Sequence, residues 1–147
     1  MATEKQSTLT DRGSVLTTQL NSLATATYSA LGSVEHDNSA NLDLWAIAEL
    51  NVTYGTNPTL NSPVHLYGVK ALDGTNYQDG SASLRPPDDC YLGTFQLYNN
   101  TSAQKLLTRP FRLLPVKHKF IVYNGSGQTM AASGNTVKLY TYNRTIN

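Results

Sequence analysis

Leu42-Asp43-Leu44-Trp45-Ala46-Ile47-Ala48-Glu49-Leu50-Asn51-Val52-Thr53-Tyr54 is the stretch that decides the fold. Every even position is apolar, while the odd positions read Asp43, Trp45, Ile47, Glu49, Asn51 and Thr53. Side chains alternate between the two faces of a strand, so this period-two pattern predicts a long strand over 42–54 with one fully apolar face. The odd face should meet water, yet Trp45 and Ile47 sit on it. Their presence predicts a cover over that part of the strand: an N-terminal arm, a neighbouring subunit or a larger surface, bracketed by Asp43 and Glu49.

Working outward, weaker alternation predicts a first strand over 23–34. Further strands are expected over 64–72, 90–98, 117–124 and 136–142, and 111–114 is an apolar run broken by Pro115. Residues 104–109 are expected to form a hairpin with the strand before them. Clusters of Gly, Pro, Asn and Asp separate these segments, as at Asn57-Pro58, Ser62-Pro63, Asp73-Gly74 and Gly125-Ser126-Gly127. Residues 1–20 are polar except for Leu9, Val15, Leu16 and Leu20 and a starting Met. A short helical stripe is one reading of Val15, Leu16 and Leu20; the β-branched Thr17 and Thr18 favour extension. Seven or eight short strands with no convincing helix predict an all-β antiparallel β-sandwich, jelly-roll or Greek-key like. The expected organisation is an N-terminal arm over 1–20 and a single β-sandwich domain over 21–147.

The 147 residues suit one domain with a sizeable core. Charged residues make up 14% and the net charge is +1, which argues against nucleic-acid binding through a basic stripe. No apolar run approaches the ~20 residues of a membrane-spanning helix. Residues 1–11 lack the apolar centre of a signal peptide, so synthesis in a cytoplasm is expected. The single cysteine, Cys90, allows no intrachain disulfide and reads as a small strand hydrophobe.

Candidates for chemistry are few. His36, His65 and His118 have no metal-ligand spacing. No Gly-x-Ser-x-Gly elbow is present, and Asn124-Gly125-Ser126-Gly127 reads as a hairpin turn. Asp43 and Glu49 share a face but stand roughly 20 Å apart along a strand, too far for paired-carboxylate hydrolysis. Asp73, Asn76 and Asp79 could offer oxygens to Ca²⁺, though an Asx-stabilised turn suits the spacing better. No catalytic residue, metal or cofactor is therefore expected.

Nine tyrosines are the compositional surplus. Tyrosine has an apolar body and a polar tip, which suits interfaces and sugar-stacking surfaces. Tyr140 and Tyr142 share the face opposite Val137 and Leu139; Ile121 and Tyr123 oppose Phe120 and Val122. Trp45, Ile47, Tyr77, Ile121, Tyr123, Tyr140 and Tyr142 are the candidate partner-interface residues. Residues 73–89 form a long loop of the kind that carries function or covers a neighbour.

Four segments carry a resemblance. They are Ser14-Val15-Leu16-Thr17-Thr18-Gln19-Leu20-Asn21-Ser22-Leu23, Asp37-Asn38 with Asn41-Leu42-Asp43-Leu44, Lys70-Ala71-Leu72-Asp73-Gly74-Thr75-Asn76-Tyr77-Gln78-Asp79-Gly80, and Ala131-Ala132-Ser133-Gly134-Asn135-Thr136-Val137-Lys138. From about residue 14 onward the chain resembles small virion proteins of tailed bacteriophages, β-sandwich proteins of the capsid decoration or cement type. The resemblance implies a non-enzymatic protein on the capsid surface, a major capsid protein as partner, and homo-oligomers, with trimers matching local three-fold positions. It assigns no contact residues. The tyrosine surplus and the 73–89 loop support the alternative, a carbohydrate-binding module of a tail fibre or baseplate.

Overall fold

The computed structural model describes residues 4–32 and 34–146. Two antiparallel sheets pack face to face. The first contains β2 (Thr10–Leu16), β11 (Thr136–Tyr142), β5 (Trp45–Val52) and β8 (Gln104–Leu107) in that spatial order, with β9 (Phe111–Arg112) also paired to β5. The second contains β3 (Thr27–Tyr28), β10 (Lys117–Asn124), β6 (Pro63–Ala71) and β7 (Tyr91–Gln96), with β4 (His36–Asp37) also paired to β10. A separate two-stranded ribbon joins β1 (Glu4–Gln6) to β12 (Arg144–Ile146). The fold is an all-β antiparallel sandwich, as the alternation implied.

From residue 46 onward the even residues of the deciding stretch do face the core. Ala46, Ala48, Leu50, Val52 and Tyr54 are buried between the sheets with Val64, Leu66, Phe95, Phe120, Val122, Val137 and Leu139. The strand itself is shorter than 42–54. Asn38–Asn41 forms one helical turn, capped by the Asp37 side chain accepting from Ser39 N–H, and Leu42 ends it at φ +53°. The Asn38 amide group then bonds both N–H and C=O of Asp43. That local competition holds residues 38–43 off the ladder and leaves Leu42 and Leu44 exposed.

Three other expectations change. Residues 10–16 are not an arm. They form β2 beside β11, and Val15, Leu16 and Leu20 are core residues, so the sandwich begins at Thr10. The helical reading of Val15, Leu16 and Leu20 survives only as a single 3-10 turn at Thr18–Leu20. The strand expected over 23–34 shrinks to Thr27–Tyr28. Its neighbours still follow β10 through Ser29 N–H to Val122 C=O and Gly32 N–H to Phe120 C=O. The segment is held to one side because Ala26 takes φ +56° and the Ser29 hydroxyl accepts from Val122 N–H. Finally, β7 and β8 are not a hairpin: β7 pairs with β6 and β8 with β5. The Gln104 side chain bonds both Tyr98 N–H and Tyr98 C=O, which folds residues 98–104 into a compact crossing from one sheet to the other.

Candidate functional site

Opposed residues of an antiparallel pair project to the same face, so the register shows what meets on the outside of the β2–β11–β5–β8 sheet. Trp45 lies opposite Tyr142 and Arg112, and Ile47 lies opposite Tyr140. Four of the residues singled out from sequence are thus brought together. The Trp45 and Tyr142 rings are 6.5 Å apart and 17° from parallel. The Arg112 and Arg144 guanidinium carbons sit 5.8 Å and 4.9 Å from the Trp45 ring centroid. Arg144 is also paired with Glu4 at 3.2 Å, which ties the terminal ribbon to the indole.

Next to this cluster is a shallow depression of about 270 Å³ between Leu9, Ile47, Glu49, Leu107 and Tyr140. Leu9 and Leu107 are exposed, whereas Trp45, Ile47 and Tyr140 are half-buried. The cover expected over Trp45 and Ile47 comes partly from both ends of the chain: Arg144 lies over the indole and Leu9 borders Ile47. Glu49 borders the apolar area, with Lys105 at 3.8 Å. Asp43 does not. Its carboxylate is buried against Arg12, 2.7 Å away. Tyr142 is only 7% exposed, so it supports Trp45 from the side and offers a partner little area.

Of the remaining three candidates, Ile121 and Tyr123 belong to β10 of the other sheet and Tyr77 to the loop packed over it. Ile121 is wholly buried under the loop, against Tyr67, Val69 and Cys90, and the expectation that it contacts a partner is corrected accordingly. Tyr77 packs over the same small core, with its hydroxyl on Glu35 and the Lys119 ammonium 4.9 Å above its ring. Burial and that carboxylate push the Tyr77 phenol far above its ordinary value. Tyr77 therefore clamps the loop in place. Tyr123 is half-buried in an aromatic row that the sequence reading did not assemble: Tyr28, Tyr123, His65 and Tyr91, with Tyr67 beneath. Alternation at His65 and Tyr67 was a signal for it, but only the pairing of Tyr123 with His65 and of Tyr123 with Tyr28 reveals the row.

The polar candidates have structural roles. The Asp73 carboxylate accepts from Thr75 N–H, Asn76 N–H and the Asn76 amide, which makes the Asx-stabilised turn. These bonds lower its pKa to about 2. His118 is buried with Nε2 on Leu114 C=O. His36 is buried beside it, and its Nε2 has no partner among the described residues. Burial pushes the Cys90 thiol up, the opposite of what a nucleophile needs. Among the described residues no three His, Cys, Asp or Glu side chains are grouped to hold a metal ion.

No protein-family model matches the chain, and no curated protein matches it.

Proposed function

We propose that this chain is a non-enzymatic structural protein of a phage virion that decorates or cements the capsid by binding the major capsid protein. The observation that carries the reading is the outer face of the β2–β11–β5–β8 sheet. Its tryptophan is flanked by two arginines, with half-buried Ile47 and Tyr140 and exposed Leu9 and Leu107 alongside. Trp, Tyr and Arg around an aliphatic patch are the residues that dominate protein interfaces. Single exposed leucines are ordinary on a surface, but a contiguous group around an indole is informative.

We read the strand order as a jelly roll. Its support is the nested pairing of β2 with β11, β3 with β10, β5 with β8 and β6 with β7, which distributes the chain alternately between the two sheets. A rigid sandwich of this kind suits a subunit that must hold a fixed surface. A closed cyclic oligomer, a trimer at local three-fold positions, belongs to the same proposal. The exposed β1–β12 ribbon supports it, because two isolated strands have little stability without a surface to rest on.

The test is uptake. Purified protein is incubated with undecorated phage heads and the heads are re-isolated. Saturable binding in a fixed ratio to the major capsid protein is expected; heads that take up none overturn the proposal.

A further inference from the structure

We propose a second site, on the side of the sandwich where β7 and β8 leave their outer edges unpaired, that binds a neutral oligosaccharide. Of its lining, Leu107 also borders the capsid-binding face, but Tyr91, Tyr98 and Arg109 do not, so it stands or falls separately from that reading. Two depressions of about 370 Å³ each adjoin one another there, sharing Thr94 and Arg109. Tyr91 lines the first and Tyr98 the second, and these rings are 48% and 63% exposed. Each volume lies near the lower end of ordinary small-molecule sites, ~300–1,000 Å³.

The chemistry of the lining is that of a sugar site. Pyranose rings present apolar C–H faces to aromatic rings and hydroxyls to planar donors. The Tyr91 ring is already held for that purpose: His65 and Tyr67 each meet it edge-on with centroids 5.8 Å away, and its hydroxyl bonds Thr94. His65 Nδ1 bonds the same Thr94 hydroxyl at 2.9 Å. Stacking on a ring that is fixed before the ligand arrives costs little ordering entropy. At the junction of the two depressions stands Arg109, which makes no hydrogen bond or ion pair among the described residues. Its guanidinium offers five N–H donors in a plane, suited to vicinal hydroxyls.

Charge balance favours a neutral saccharide over a nucleic acid, which stacks on aromatics but needs an uncompensated basic channel. Around this side Lys70 is paired with Asp89, Arg85 with Asp88 and Lys105 with Glu49. Burial, with Arg85 nearby, holds His65 below its ordinary value, so the ring is neutral at pH 7. Lining composition disfavours a protein partner: β7 contributes no exposed aliphatic side chain to the two depressions, and β8 contributes one, Leu107. An added polypeptide strand is disfavoured too. β8 has four residues, and β7 carries a register shift opposite Leu66 and Tyr67.

The full chain is screened against an immobilised array of neutral oligosaccharides of glucose, galactose, mannose, rhamnose and N-acetylhexosamines. Oligo(dT) and an extended Thr/Val-rich peptide are run beside them. The best saccharide is then titrated calorimetrically. Saturable binding is expected, with Kd on the order of 1 mM or tighter. Tyr91→Ala and Arg109→Ala should each weaken it about tenfold or more, while Tyr91→Phe stays within a few-fold and Trp45→Ala matches the parent. Binding of oligo(dT) or the peptide with no saccharide bound overturns the proposal. So does silence across the array, or saccharide binding indifferent to both Tyr91→Ala and Arg109→Ala.

Discussion

Arg12 and Asp43 form a two-contact ion pair: Nη2 lies 2.7 Å and Nε 3.0 Å from Asp43 Oδ2, and Nε also reaches the Thr141 hydroxyl at 3.0 Å. The pair fastens β2, the entry to β5 and the end of β11 at one corner of the sandwich. Asp43 is 5% exposed, so removing the guanidinium strands a buried carboxylate. Arg12→Ala should cost about 2–3 kcal/mol, somewhat under the ~3–5 kcal/mol of a fully enclosed pair because Arg12 keeps some water contact. Arg12→Lys should recover only part, since a lysine lacks the planar fork. Urea unfolding with an unchanged slope is the measurement; a loss below about 0.5 kcal/mol would show that the pair is solvated and unimportant.

Trp45 separates binding from folding. Its ring is half-buried, braced by Tyr142 and two arginines, and its Cα sits in a ladder that does not depend on the indole. Trp45→Ala should therefore lower head uptake by about 2 kcal/mol or more, the scale of an interface hot spot, and lower monomer stability by less. Head binding and urea midpoint are measured on the same preparation. If stability falls as far as binding, the indole serves the fold, and this face loses its claim as the docking surface.

The two buried histidines give the protein a pH dependence with a defined sign. Burial is the first cause of the lowered pKa of both His36 and His118; His118 and Arg12 add to it at His36, while at His118 the hydrogen bond to the Leu114 carbonyl opposes it and Lys70 adds to it. Asp43 and Asp37 oppose the shift at His36 without reversing it. Below about pH 6.5 the unfolded chain binds protons that the folded chain refuses. Stability from these groups is thus complete above that pH and falls as pH drops, by at most about 1.4 kcal/mol per unit for each histidine. His36→Phe should flatten the slope between pH 6.5 and 5 and cost little at pH 7.5, because its Nε2 already lacks a partner. A thermal midpoint flat over that range would contradict the assignment. Asp73, with its pKa near 2, enters only in stronger acid.

These residues also show what a sequence of this kind can reveal. Alternation over 117–124 and 136–142 gave strands with the observed ends, and it placed Trp45, Ile47, Tyr140 and Tyr142 outward. Those are local properties of the chain. Which strand lies beside which is not local. The pairing of Lys138 with Ser14 turned a supposed arm into β2, and Gln104 folding back on Tyr98 turned a supposed hairpin into a crossing between sheets. Ile121 failed as an interface residue for a related reason. Its outward position was read correctly, but the 73–90 loop covers it. The Arg112 and Arg144 pair around Trp45 carries no spacing signal, because three separate strands deliver those residues.

Gly125 gives a prediction in which geometry alone sets the outcome. A methyl group there would lie 2.6 Å from the Pro63 carbonyl oxygen, a backbone atom that already accepts the Gly125 N–H at 3.0 Å. Neither partner can yield without opening the end of the β6–β10 ladder, where Asn124 pairs with Val64. Gly125→Ala should cost about 1–3 kcal/mol, the usual range for forced overpacking. Gly55 is the control. A Cβ there meets nothing within 4 Å and its φ is not left-handed. Gly55→Ala should be neutral or stabilise by up to about 1 kcal/mol, through the smaller freedom of the unfolded chain. Urea midpoints of the two variants should move in opposite directions, or their unfolding free energies differ by at least about 1 kcal/mol. Equal midpoints would mean that the chain at Gly125 moves aside from Pro63 more easily than its hydrogen bond implies.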